Sequence, residues 1–280
     1  MWKFSKYHAI GNVYFVINPA QLDGPLAAEA IKTLCDIHFG IGSDGLLLGP
    51  FSSTAADFRL EIYNPDASVA EKSGNGLRIF CRYLWDQGLV QENTPFTVET
   101  LGGVVQAVVQ AGGRQVTVQM GQVSFSSQDI PVIGAAREVL REPVHILDRD
   151  FEFSGVTIGN PHCVVLVDDP SEALARKYGP FFETHPNFPT RTNVQFVRVL
   201  DRGQIYLEIW ERGAGYTLAS GSSSCAAVAV AHRLGLVDHE LVANMPGGRL
   251  QIQIDDTYHL TMTGPVTHVC DGEVAAECVA

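Results

Sequence analysis

The chain has 280 residues, 46% of them hydrophobic, enough for one or two domains with buried cores. Its 19 basic and 31 acidic side chains leave a formal charge of -12, which argues against nucleic acid or an anionic membrane surface as a partner. No run reaches the roughly 18 uncharged apolar residues of a membrane-spanning helix, and MWKFSKYHAI lacks the apolar centre of a signal peptide, so a cytoplasmic protein is expected.

In chain order, β-branched and aromatic runs predict strands at Trp2 to His8, Tyr14 to Asn18, Gly45 to Leu48, Phe58 to Asn64, Phe96 to Glu99, Val104 to Val109 and Gln115 to Met120. Helices are predicted at Pro25 to Phe39, where Ala28, Ile31, Leu34 and Cys35 form one stripe, and at Gly76 to Gln87, where Leu77, Phe80, Cys81 and Leu84 do the same. The Ser- and Pro-punctuated stretch Gly121 to Asp148 suits a crossing between domains, giving domains of residues 1–121 and 122–264. The same grammar then returns. Strands are expected at Phe153 to Ile158, Cys163 to Val167, Val194 to Leu200, Ile205 to Trp210, Leu250 to Ile254 and His259 to Thr263, with helices at Ser171 to Lys177 and Ser222 to Leu234.

The second half echoes the first in detail. Strand 58–64 leads through a loop to Ser73-Gly74-Asn75-Gly76 and a helix; strand 205–210 leads through Glu211-Arg212-Gly213 to Ser220-Gly221-Ser222-Ser223 and a helix. Helix N-termini carry N–H groups without intrahelical acceptors and the positive end of the dipole, so two like domains meeting across a cleft could offer two such ends to one carboxylate. Each serine alone is equally an ordinary N-cap. Glu211-Arg212 reads equally as a solvated pair or as part of a site. Gly159-Asn160-Pro161-His162 is a turn between strands that can aim Asn160 and His162 into a cleft, although a lone His162 is more often structural.

The six cysteines, Cys35, Cys81, Cys163, Cys225, Cys270 and Cys278, are scattered without a CxxC pair and read as small hydrophobes. The 9 histidines show no zinc-ligand spacing, so no metal site is expected. Lys3, Lys6, Lys32, Lys72 and Lys177 sit in no setting that suggests a Schiff base, and the chemistry is expected to need no cofactor.

Five segments, FSKYHAIGN, FGIGSDGLLL, YNPDASVAEKSGNGLR, GNPHCVVLVDD and WERGAGYTLASGSSSCAA, resemble the diaminopimelate epimerase family in order and spacing, as does the ending LTMTGPVTHVCDGEV. The resemblance implies an α/β (α+β) fold of two similar domains, each a sheet wrapped around a central helix, with strand 265–280 completing the first. It implies an isomerase, needing no pyridoxal phosphate, in which two facing groups exchange the α-proton of an amino acid, and it implies a homodimer. Asn12, Asn64, Asn160, Asn193 and Arg212 match the family's substrate contacts; Gly74 with Asn75, and Gly221 with Ser222, match its backbone cradles. His162 and Glu211 match residues flanking the reacting centre.

At the two proton-transfer positions the family has cysteines, and this chain has Ser73 and Ser220. A thiol ionises near about pH 8.5, while a serine hydroxyl has no comparable state near neutrality. Since replacement of two sulfurs by nearly isosteric oxygens leaves the surrounding frames intact, the expectation is an impaired Cys-to-Ser variant. The alternatives are a homologue using serines with help from His162 or Glu211, and a noncatalytic amino-acid binder. Val13, Gly45 and Tyr216 also depart from common family residues and leave a racemase of another amino acid, such as histidine, as an alternative; Asn64, Asn193 and Arg212 favour diaminopimelate.

Overall fold

Ile10 and Gly11 both have positive φ (48° and 89°), the backbone a two-residue hairpin requires, and they turn strand Trp2–Ala9 into its antiparallel partner Asn12–Ile17. The computed structural model that shows this describes residues 2–22 and 24–279; Met1, Asp23 and Ala280, which the expected first domain includes, lie outside the described residues. The chain divides into two compact units, Met1–Gln119 with Thr263–Ala280, and Met120–Met262.

In the first unit, helix α1 (Ala28–Cys35) carries the chain from Asn12–Ile17 to the parallel strand Leu46–Phe51. That strand pairs antiparallel with Phe58–Tyr63, which takes the short strand Val69–Ala70 on its end. Helix α2 (Gly74–Asp86) crosses to Phe96–Thr100, parallel to Phe58–Tyr63, and a hairpin leads to Gly103–Gln110. Strand Thr267–Val274 returns to pair with Trp2–Ala9.

The second unit repeats this sequence of moves. Arg149–Thr157 pairs with Pro161–Leu166; α3 (Glu172–Glu183) crosses to the parallel strand Asn193–Asp201; that strand pairs with Gln204–Glu211, which takes the short strand Gly215–Thr217. Helix α4 (Gly221–Arg233) then crosses to Glu240–Met245, parallel to Gln204–Glu211, and a hairpin leads to Gly248–Ile254. The expected plan of a sheet wrapped around a central helix is present in both units.

Strand alternation assigns each helix its side. Phe15, Ile17, Leu46 and Leu48 cluster with Ile31, Leu34 and Cys35 of α1, so the alternate residues Asn12, Tyr14 and Leu47 turn to the other face, where α2 packs. Likewise Cys163, Val165, Val194 and Phe196 cluster with Tyr178 and Phe182 of α3, leaving His162, Asn193 and Gln195 for the face on which α4 packs. The inner helices are buried nearly all round: every residue of Gly74–Cys81 and of Ser223–Ala231 is buried. In α4 that surface is mostly alanine and valine, which lets strands from both sides approach closely.

Several elements differ from the expectation. Helix α1 stops at Cys35 because the Asp36 carboxylate accepts the N–H groups of His38 and Phe39 and ends the helix in a turn. Helix α3 continues past Lys177 and through Pro180, because Tyr178 and Phe182 are held in an aromatic cluster with Phe151 and Phe196. The segment read as a crossing contains strand Glu142–Ile146, paired with Arg149–Phe153. Strand Glu240–Met245 lay outside the expected set.

Candidate active site

Ser73 is the N-cap of α2: its backbone is extended, and its Oγ accepts the Gly76 N–H at 3.0 Å. That contact fills the third orphan amide of the helix and places the oxygen at the positive end of the dipole, where negative charge on it is stabilised. Gly74 and Asn75 are the first two helical residues. Asn75 links the helix to the strand beside it, donating from Nδ2 to Asn12 Oδ1 at 3.0 Å and accepting at Oδ1 from Arg78 Nη2 at 2.8 Å. Asn12 in turn donates to Asp44 Oδ2 at 2.9 Å, which also accepts the Val13 N–H at 2.7 Å. The chain Asp44–Asn12–Asn75–Arg78 thus runs from acid to fully buried guanidinium and fixes Asn12 beside the start of α2. Asn64 lies after the neighbouring strand, its Nδ2 donating to Ser68 Oγ at 2.9 Å within the 64–68 turn.

Ser220 caps α4 in the same way, its Oγ accepting the Ser223 N–H at 3.4 Å. Gly221 and Ser222 are the first two helical residues. Behind this start, Gln195 Nε2 bridges two buried groups, donating to Ser223 Oγ at 3.0 Å and to His162 Nδ1 at 3.1 Å. The His162 Nε2–H donates to Asn160 Oδ1 at 3.0 Å. His162 is wholly buried; desolvation first, and the Arg212 charge second, hold its pKa down at about 3. It is therefore a neutral imidazole, hydrogen-bonded to Asn160 on one side and Gln195 on the other.

Glu211 ends strand Gln204–Glu211, and Arg212 opens the turn that follows it. Asn193 Oδ1 accepts the Arg212 N–H at 3.0 Å while Asn193 Nδ2 donates to the Pro161 carbonyl at 3.0 Å. The exposed Arg212 guanidinium donates from Nη1 to the Thr190 carbonyl at 3.2 Å. Beneath the turn lies Glu183, 4% exposed, whose carboxylate accepts Trp210 Nε1–H at 2.7 Å, the Gly213 N–H at 2.8 Å and Arg191. A buried carboxylate thus anchors the loop that presents Arg212.

Within the first unit, Asn12 and Asn75 stand together at the α2 start beside Ser73 and Gly74; within the second, Asn160 is bonded to His162, which Gln195 links to Ser223 in the first turn of α4, while Asn193 bonds the Pro161 carbonyl and the Arg212 N–H. Asn64 is hydrogen-bonded within its own turn rather than to the α2 start. The sequence reading missed Asp44, Arg78, Glu183, Gln195, Ser223 and Tyr14. Strand parity could have found two of them, since Gln195 follows Asn193, and Tyr14 follows Asn12, by one strand repeat. Glu183 carries no such signal. Among the described residues, no cluster of three His, Cys, Asp or Glu is placed to hold a metal, and no helix is long and apolar enough to cross a membrane.

The duplicated fold is shared with solved racemases and isomerases of low sequence identity. A hydroxyproline epimerase from Agrobacterium vitis superposes with TM-score 0.74 at 16% identity, covering 98% of this chain and 92% of that one. A methylitaconate-delta-isomerase gives 0.62 at 14%, covering 98% and 95%. The diaminopimelate epimerase profile matches residues 4–126 and 155–269, and the chain belongs to that family. Among its relatives, diaminopimelate epimerase 2 of Nostoc sp. is 59% identical over 278 residues, 99% of this chain and 97% of that one. The diaminopimelate epimerase of Desulfitobacterium hafniense is 38% identical, covering 98% and 99%.

Proposed function

We propose that this chain is an isomerase that interconverts LL- and meso-diaminopimelate, with Ser73 exchanging a proton on one face of the α-carbon and Ser220 on the other. The observation that carries this reading is the duplication. Both serines stand one residue ahead of an inner helix, at the same step of a repeated topology, and both oxygens hold the third amide of that helix. The resemblance to relatives named diaminopimelate epimerase supports the substrate.

In this reading the amides of Gly74, Asn75, Gly221 and Ser222 receive the α-carboxylate, where charge grows as the proton leaves. Asn12 and Asn160 contact the reacting end, and Glu211 flanks it. Arg212 grips the distal carboxylate bidentately, with Asn64 and Asn193 beside it. A hydroxyl is a weaker acid and base than the family's thiol, and a positioned acid–base group contributes about 10²- to 10⁴-fold, so turnover is slow relative to a dithiol enzyme. The homodimer, the cytoplasmic location and a place in lysine and cell-wall precursor synthesis belong to the same proposal.

The test is incubation with LL- or meso-diaminopimelate, and separately with proline and histidine, followed by separation of stereoisomers. Slow interconversion of the diaminopimelate isomers alone is expected. Preference for an amino acid without a distal carboxylate would overturn the substrate assignment.

A further inference from the structure

Tyr14 lies one strand repeat beyond Asn12 and so shares its face, toward α2. The ring is buried, 7% exposed, and its hydroxyl oxygen lies 3.5 Å from Ser73 Oγ. Room for it exists because residue 45 is glycine: a Cβ there would stand 2.6 Å from Tyr14 Cε1 and 2.5 Å from the Tyr63 carbonyl oxygen, inside the closest approach real side chains make. The Gly76 N–H takes one lone pair of Ser73 Oγ, leaving the serine its own proton and a second lone pair.

A serine at a proton-transfer position lacks an ionised form near neutrality, whereas a phenol ionises near about pH 10. We propose that Tyr14 is a positioning residue that relays protons to and from Ser73, supplying the titrating group that a cysteine carries in itself. The proposal rests on the assignment of Ser73 to α-proton transfer. With Tyr14 as phenolate, Ser73 Oγ takes the α-proton while its own hydroxyl proton passes to the Tyr14 oxygen. The C–H electron pair stays on the α-carbon, and both side chains end neutral. In the return direction Ser73 gives its proton to the carbanion and recovers one from Tyr14, which is left as phenolate. Ser220 has a different surrounding: in the first turn of its helix Ser223 Oγ accepts from Gln195 Nε2, and Ser224 Oγ donates to the Ser220 carbonyl. The two half-reactions therefore differ in their pH dependence.

The experiment is a double-mutant cycle between Tyr14→Phe, which removes one oxygen, and Ser73→Cys, read by exchange of the diaminopimelate α-proton with deuterium oxide across pH. In the unmodified chain, Tyr14→Phe should slow exchange by about 10²-fold or more and abolish the rise in rate with increasing pH. In the Ser73→Cys background, where the thiol ionises itself, the loss on Tyr14→Phe should be at least about tenfold smaller, with the pH profile now set near about 8.5. Equal losses in the two backgrounds would show a packing role and overturn the relay, as would an unchanged rate and profile in the unmodified chain. If neither the unmodified chain nor its Ser73→Cys form exchanges the α-proton of any diaminopimelate isomer, the assignment of Ser73 fails and the relay with it. Exchange that persists unaltered by Tyr14→Phe removes the relay alone.

Discussion

Glu183→Gln tests whether a buried carboxylate holds the Arg212 turn. Glu183 is 4% exposed and accepts the Trp210 indole N–H at 2.7 Å, the Gly213 N–H at 2.8 Å and the Arg191 guanidinium. Glutamine keeps one acceptor oxygen but turns an NH₂ group toward one of those donors. A hydrogen bond to a charged group contributes about 1.5–3 kcal/mol, and a stranded buried donor costs about 1–3 kcal/mol. The Arg191 side chain is half exposed, so its ion pair adds at most about 1 kcal/mol. The substitution should therefore cost about 2–4 kcal/mol, near the lower end if the turn relaxes to rescue one donor. With a urea slope of about 2 kcal/mol per molar, the unfolding midpoint should fall by about 1–2 M. Because the Gly213 amide is the anchor next to Arg212, KM for diaminopimelate should rise about tenfold, with kcat changed less. Arg191→Asn is the control: residue 191 has φ of 61°, which asparagine tolerates, and the loss should stay within about 1 kcal/mol. An unchanged midpoint together with an unchanged KM for Glu183→Gln would refute the anchoring role.

His162 gives a pH signature. Its native pKa of about 3 lies below the unfolded value of about 6.5, so the unfolded chain takes up a proton that the native chain refuses. That contribution is fully present above pH about 6.5 and is lost at about 1.4 kcal/mol per pH unit as pH falls toward 3. His162→Gln should flatten this limb in urea titrations between pH 7 and 4, and an identical slope in the variant would contradict the burial argument. Asn75→Leu removes the link between Asn12 and the fully buried Arg78, and should cost about 1.5–3 kcal/mol while raising KM; calorimetry and steady-state kinetics check it. Ala227→Leu places a large side chain where α4 has none exposed, and should cost about 1–3 kcal/mol by overpacking, read as a lowered urea midpoint.

The repeated strand–helix grammar was legible because its signals are local. Alternation marked the strands, the three-and-four spacing marked α1 and α2, and Ser-Gly pairs marked the starts of α2 and α4. The unexpected strand Glu240–Met245 follows α4 after only a short connection, and its polar Glu240 and Asn244 break the apolar run that would announce it. The unexpected strand Glu142–Ile146 has Pro143 near its start, a residue that usually demotes such a run. The length of α3 depends on Phe151 and Phe196 packing against Tyr178 and Phe182, contacts made at distances along the chain that periodicity does not see.

The serine caps, Asn75 and Asn160 were visible because cap and turn chemistry restricts residue type, whereas Asn12, Asn64 and Asn193 were named through the family resemblance alone. Their supports were not. Glu183 and Gln195 act through groups 27 or more residues away, Gly213 and Trp210 in one case, Ser223 and His162 in the other. Only the register of neighbouring strands brings them together. His162 illustrates both sides: its turn context singled it out, but its complete burial and neutral state follow from the packing of α4 over the strand.

The most direct measurement follows LL-diaminopimelate in deuterium oxide with the Ser73→Cys, Ser220→Cys chain, reading isotope position and configuration by NMR. Two thiols at the paired helix starts should give meso product carrying solvent deuterium at the inverted carbon, with single Ser73→Ala or Ser220→Ala changes eliminating it. A dithiol chain that binds the compound yet leaves every α-proton in place would contradict the account.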